Sequence, residues 1–202
     1  MKSGKKFVIL VVAVALVVSV FNFIRMSMDE EMEIYEKTLR LHIPANSDSK
    51  EDQELKLQVR DAVIELLKDP LSECKTKEDA VRVAEEMSDE IERVSDEVIN
   101  ENGKNYKATV TITEEYYPRR QYEGISLPAG NYTSVKIELG EAEGQNWWCV
   151  LFPQVCTQTA SADEVLAEVG FTANQIRLLT DQEDCEYVVK FKLLEIIEGI
   201  FG

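Results

Sequence analysis

His42 is the only histidine among 202 residues that include 38 Asp and Glu, so acid–base or nucleophilic chemistry has few ways to be assembled. A Ser-His-Asp triad would have to use His42, and no Gly-x-Ser-x-Gly elbow occurs to present the serine. A Walker loop, a Gly-x-Gly-x-x-Gly run and a His-Glu-x-x-His zinc helix are also missing. With so many acids, pairs of carboxylates arise by chance, and they read as a solvated surface. His42 stands in a segment that alternates like a strand, on the face opposite Leu41 and Ile43, which predicts a surface or edge histidine rather than a catalyst. The residues therefore predict no enzyme, no metal site and no cofactor.

The four cysteines, Cys74, Cys149, Cys156 and Cys185, lack the Cys-x-x-Cys spacing of zinc knuckles and thioredoxin-like sites. In an exported protein an even number permits two disulfides. A bend at Phe152-Pro153 could bring the Cα atoms of Cys149 and Cys156 within the roughly 4.4–6.8 Å that a bridge needs, and Cys74 with Cys185 would follow by elimination. The other reading is buried thiols that pack as small hydrophobes. Trp147 and Trp148 are adjacent, and neighbours on a strand point to opposite faces, so only one indole can enter the core. The other is covered by its own domain or serves as a partner anchor. Tyr116-Tyr117 poses the same question. Beside it, Arg119-Arg120 is the only basic doublet in residues 29–202, suited to an acidic partner surface or to the neighbouring glutamates.

The elements that must position these residues follow from composition and periodicity. At 45% hydrophobic and 30% charged, with 9 Gly and 5 Pro, the chain has the balance of a folded protein with one core. Residues 1–25 hold Lys2, Lys5, Lys6 and Arg25 and no acid. Beyond them, 18 Lys and Arg stand against all 38 acids, a balance of −20. Such a body repels phosphate backbones, which argues against nucleic acid and for a basic partner surface. Residues 7–24 are 18 in number, uncharged, and polar only at Ser19 and Asn22. As a helix they span roughly 27 Å, close to the hydrocarbon thickness of a bilayer. The cationic start and Asp29-Glu30-Glu31 on the far side place the N-terminus in the cytoplasm. Residues 1–28 are thus expected to be a signal peptide or signal anchor, and residues 29–202 an exported domain. No A-x-A-like pattern follows the run, which favours an uncleaved anchor.

Residues 38–44 alternate as a strand, and Asn46-Ser47-Asp48-Ser49 supplies turn and cap side chains. A helix is expected from Lys50 to an end at Asp69-Pro70. A second, capped by Thr76 and Asp79, carries a stripe from Ala80 to Val98 and is ended by Asn102-Gly103. Residues 106–117, 132–139 and 147–152 read as strands of an antiparallel meander. A short helix capped by Ser161, a segment from Cys185 to Val189 and an amphipathic end over residues 191–201 complete the chain. The expected fold is α+β: a small antiparallel sheet of about four strands, covered on one face by amphipathic helices and preceded by a transmembrane or signal segment.

Several strings gain meaning together. Leu39-Arg40-Leu41-His42-Ile43-Pro44-Ala45-Asn46-Ser47-Asp48-Ser49, followed by Glu51-Asp52-Gln53 and Val59-Arg60-Asp61-Ala62-Val63, resembles the opening of stage II sporulation protein R, a family of endospore-forming bacteria. So do Leu127-Pro128-Ala129-Gly130-Asn131-Tyr132 and Gly144-Gln145-Asn146-Trp147-Trp148-Cys149-Val150-Leu151-Phe152-Pro153 with Cys156. The resemblance covers about residues 38–160 and the Phe191-Lys192-Leu193-Leu194-Glu195 end, with Pro44 in place of a more usual aliphatic residue. It implies an intercompartmental signalling protein, made in the forespore and sent across the membrane, secreted or anchored by residues 7–24. It further implies activation of a membrane-embedded aspartic protease, which then processes the precursor of the mother-cell sigma factor E. Cys149 and Cys156 match the family's paired cysteines. On this footing Trp147, Trp148, Arg119, Arg120, Leu127 and Tyr132 are the candidate contacts with the protease's extracytoplasmic face. The competing expectation is an exported cell-envelope hydrolase using a carboxylate pair, marked by a cleft with two acids roughly 5–9.5 Å apart beside an exposed tryptophan.

Overall fold

The computed structural model describes residues 2–122, 124–154 and 161–180. The chain divides into two units, Met1–Glu33 with Glu183–Gly202, and Ile34–Gln182. In the second unit the alternation of Leu39, Leu41 and Ile43 makes a strand, β1 (Leu39–Pro44), whose three apolar side chains are fully buried. Pro44 ends it, and Ser49 caps α2 (Lys50–Ser72) by accepting from the Asp52 N–H at 3.2 Å. Leu55, Val59, Val63, Leu67 and Leu71 recur at helical spacing and share one core with the apolar side of β1. The helix runs through Pro70 instead of closing before it, and ends two residues later at Ser72.

The single helix expected up to Asn102-Gly103 is two helices, α3 (Lys77–Glu86), capped by Thr76, and α4 (Ser88–Glu101), the second of which ends where expected, with Asn102 as its C-cap. Met87 separates them at φ −97° and ψ 5°, while its N–H still bonds the Val83 carbonyl and its carbonyl accepts from Ile91. The bend lets Ala80 and Ala84 as well as Ile91 and Ile99 reach the core. A straight helix of that length would carry one end off a twisted sheet.

The remaining strands are β2 (Ala108–Tyr117), β3 (Arg120–Tyr122), β4 (Ile125–Leu127), β5 (Gly130–Leu139) and β6 (Asn146–Phe152). Four strands form one sheet in the order β2-β5-β1-β6. Here the expectation of an antiparallel sheet is corrected. β2 and β5 are antiparallel, as are β1 and β6, but β1 runs parallel to β5, with Leu41 between Val135 and Cys149. β1 lies between two strands that are neighbours in sequence, so the sheet is mixed. Alternation tells which residues share a face and is silent about which strand lies alongside. The face bearing Leu41, Val135, Ile137 and Cys149 packs on α2, α3 and α4. On the other face the β3–β4 hairpin carries Tyr122 to Arg40, and α6 (Ala173–Thr180), which follows α5 (Ala162–Glu168), packs against β4.

The helix α1 (Lys2–Glu36), which belongs to the first unit up to Glu33, contains the apolar run. Its described large apolar side chains from Leu10 to Phe21 are 51–68% exposed, so among the described residues this stretch presents no buried stripe. Other side chains of the run, those of residues 7–9, 13, 23 and 24, lie outside the described residues. Among the described residues no helix is long and apolar enough to cross a membrane. The expected amphipathic end over residues 191–201 and the segment from Cys185 to Val189 also lie outside the described residues.

Candidate functional site

Because β1 is internal to the sheet, Arg40 and His42 point away from the helices into the opposite face. Register sets their neighbours: Arg40 lies between Ser134 and Val150, and His42 between Lys136 and Trp148. Arg40 is fully buried. Its Nε donates to the Cys149 carbonyl at 3.1 Å and its Nη2 donates to the Tyr122 hydroxyl. The rings of Tyr117, Tyr132 and Tyr122 stand 4.2, 4.8 and 5.5 Å from the guanidinium carbon. Among the described residues no carboxylate pairs with this cation, and the ring faces supply its negative surroundings. Nη1 is buried with no hydrogen-bond partner among the described residues.

His42 is 7% exposed. Its Nδ1 lies 3.1 and 3.2 Å from the two Glu115 carboxylate oxygens, and its Nε2 lies 2.8 Å from Asn146 Oδ1. Trp148 lies flat on the imidazole, with centroids 3.8 Å apart and planes 10° apart, and meets Tyr117 edge-on at 4.5 Å. The expected surface or edge histidine is thus corrected. It faces away from Leu41 as read, but the strand is central and an indole covers the ring. Lys136 reaches Glu115 at 3.9 Å and Glu138 at 2.8 Å. The Tyr117 hydroxyl is 2.6 Å from Ser134 Oγ, and burial pushes its phenol well above the usual range. Both imidazole nitrogens are engaged, and the ring braces an aromatic side chain.

A second polar cluster sits where β1 turns into α2. Asp52 is 3% exposed, and its Oδ2 accepts from Asn46 Nδ2 at 2.8 Å and Ser47 Oγ at 2.6 Å. Its Oδ1 accepts from the Tyr106 hydroxyl at 2.9 Å and pairs with Lys104 Nζ at 3.1 Å. Burial opposes ionisation, yet these donors together outweigh it and hold the Asp52 carboxyl well below the usual carboxylate range. Burial, and then the bond to Asp52, push the Tyr106 phenol up. Lys56, also buried, donates to Gln53 Oε1 at 2.6 Å and the Gln145 carbonyl at 2.7 Å, and burial lowers its ammonium pKa against the pull of Asp48. A Cβ on Gly144 would stand 2.3 Å from the Ser47 carbonyl oxygen, so the backbone approach here admits no side chain. The strings around Asn46 and Gly144 thus form one knot that ties the β1–α2 turn to the β5–β6 turn.

The residues singled out from sequence divide between two faces. Trp147 turns to the helix side under the Arg60 guanidinium, 4.4 Å from its ring, while Trp148 turns to the other side; both are half-buried. Arg119 and Arg120 are exposed, and Arg120 stands 6.0 Å from the Trp148 ring. Leu127 and Tyr132 are 2% and 1% exposed, so they lie beneath the surface. The Tyr132 hydroxyl donates to the Pro128 carbonyl at 2.9 Å, and its ring packs edge-on against Tyr35 and Tyr117. Cys149 is buried on the helix side; Cys156 and Cys185 lie outside the described residues, and so do both pairings expected of them. Arg40 and Asp52 escaped the sequence reading. The only signal for Arg40 is its place on the polar side of a strand that proves internal, and Asp52 is one acid among 38. Among the described residues no group of three or more His, Cys, Asp or Glu could hold a metal ion. A crevice between α2 and β6, apolar apart from Lys68 and Gln154, carries no carboxylate and gives a carboxylate-pair hydrolase no support there.

A family model described as Stage II sporulation protein R matches residues 35–162. The chain belongs to that family. Its similarity extends to "Stage II sporulation protein R" of Bacillus subtilis (strain 168), 35% identical over 142 residues, which are 70% of this chain and 63% of the relative. No solved structure matches. The family region takes in β1, the Asp52 knot, the β3–β4 hairpin and both tryptophans, and it leaves out residues 7–24.

Proposed function

We propose that this protein is an intercompartmental signal of endospore formation, acting outside the cytoplasm to activate a membrane-embedded aspartic protease that processes the sigma factor E precursor. Membership of the sporulation protein R family carries the reading. Two features support it: an uncharged run over residues 7–24 suited to a signal or anchor, and a body of net charge −20 whose one histidine is occupied beneath an indole. The protein is the trigger and the protease does the bond-breaking. In this reading Arg119, Arg120 and Trp148 touch the protease's extracytoplasmic face. Leu127 and Tyr132 shape that patch from below, and Trp147 holds β6 to α2 from the other side. A Cys149–Cys156 bridge formed after export would pin the end of β6.

The test is expression of the full chain in the forespore of an endospore-forming bacterium that lacks its own family member, with shortening of the sigma factor E precursor as readout. Processing is expected with the native N-terminus and with residues 7–24 replaced by a cleavable export signal. It should vanish when residues 2–25 are deleted and the body stays in the cytosol. Processing driven by that cytosolic body would overturn the reading.

A further inference from the structure

The two edges of the sheet are finished differently. β6 is buried over residues 149–152, whereas β2 exposes Thr109, Thr111, Thr113, Glu114 and Tyr116. β2 pairs with β5 over ten residues without a register shift, and among the described residues no strand pairs with its other side. A strand paired on one side presents a row of N–H and C=O groups on the other, a template for another strand. Short length, proline, lysine or a bulge usually blunts such an edge. β2 is long and regular and has none of these. The core is unfinished at the same place: Val135, Ile137 and Leu139 of β5 are fully buried, while Val110 and Ile112 of β2, on the same face, are half-buried.

We propose that this edge of β2, which no described strand pairs, receives an extended segment of the protein's partner by strand addition, a segment that sets apolar residues opposite Val110 and Ile112 and, two residues further on the same face, Lys or Arg opposite Glu114. Its apolar side chains would lie about 4.5–5.5 Å from Val110 and Ile112 and finish the core there. Charge selects the occupant. Glu114 is exposed, and the body as a whole carries −20. A second copy would bring like charge to the edge, whereas a basic segment is drawn to it. Arg119 and Arg120 lie beyond the end of the strand, so the two contacts respond to different substitutions. The inference rests on the reading that this chain acts by touching a partner, and it names the kind of segment touched.

The experiment uses the full chain in detergent micelles, two ten-residue peptides whose alternate positions carry a pair of valines flanked by lysine in one and by glutamate in the other, with threonine between, and amide hydrogen exchange as readout. The lysine peptide should slow exchange at every second amide of β2, and the glutamate peptide should not. Glu114→Lys should weaken binding of the lysine peptide about three- to tenfold. Protection without the alternate pattern on β2, equal protection by both peptides, or an unchanged affinity in Glu114→Lys would each overturn the inference. No protease is present, so the two readings fail separately. A chain that takes the lysine strand but triggers no precursor processing sinks the proposed function alone. One that triggers processing with β2 unprotected sinks the edge alone.

Discussion

Leu41 and Arg40 are neighbours on one strand and both are fully buried, yet they are held by different physics. On the helix side Leu41 lies among aliphatic side chains, where stabilisation follows the apolar area removed from water and depends little on direction. On the opposite side Arg40 is fixed by two donated hydrogen bonds and three tyrosine rings, and His42 by Glu115, Asn146 and the flat of Trp148. Hydrogen bonds and ring stacking lose strength steeply with misorientation, so this side sets positions. One face supplies most of the folding free energy. The other decides where Trp148 and Arg120 stand.

The comparison breaks most readily at that pair. Leu41→Ala should destabilise the full chain by about 3 kcal/mol, the usual range for a buried Leu being about 2–5 kcal/mol. Arg40→Met should cost about 1–2 kcal/mol, since two acceptors lose their donor while a buried charge without a carboxylate partner disappears. Urea denaturation gives the ranking, and a larger loss for Arg40→Met would refute the division of labour. Next comes the knot at the strand ends: Gly144→Ala forces a Cβ against the Ser47 carbonyl, which cannot move without parting the two turns, and should cost about 2 kcal/mol in the same measurement.

Asp52 sharpens the contrast through pH. Its folded-state pKa is depressed while the unfolded chain has the ordinary value, so between those values the unfolded state binds a proton that the folded state does not. Its stabilisation is complete above the ordinary carboxylate range and is lost as pH falls through the folded value. Unfolding midpoints should therefore drop below about pH 4 in the native chain, and Asp52→Asn should fall less over that interval. The smallest stability effects belong to the exposed patch. Trp148→Ala should cost about 1 kcal/mol for the lost stack, and Arg119→Glu or Arg120→Glu less than about 0.5 kcal/mol. All three should nevertheless reduce precursor processing, and full processing in all three would detach the patch from the proposed contact.

Much of the fold was legible locally. Leu39, Leu41 and Ile43 announced their common face, the string from Asn46 to Ser49 announced a cap without saying which residue, Thr76 and Ser161 announced theirs, and Trp147 and Trp148 were bound to part to opposite sides. Less legible was anything that needed a neighbour from far along the chain. The break at Met87 depends on the sheet beneath it, and no residue type there marks a stop. His42 read as peripheral because nothing near it in sequence shows that β6 will lay an indole across it. Tyr132 and Leu127 read as contact residues because their strings resemble a family; only packing shows them to be buried.

Residue order by itself determined the segments, their caps and the side to which each side chain turns, since those follow from the 3.6-residue and two-residue periods of a single backbone. The order of the strands, the parallel pairing of β1 with β5 and the aromatic enclosure of Arg40 were decided only by the tertiary structure. The bond from Arg40 to the Cys149 carbonyl closes a separation of 109 residues, and no local preference records which distant partner will satisfy a buried donor.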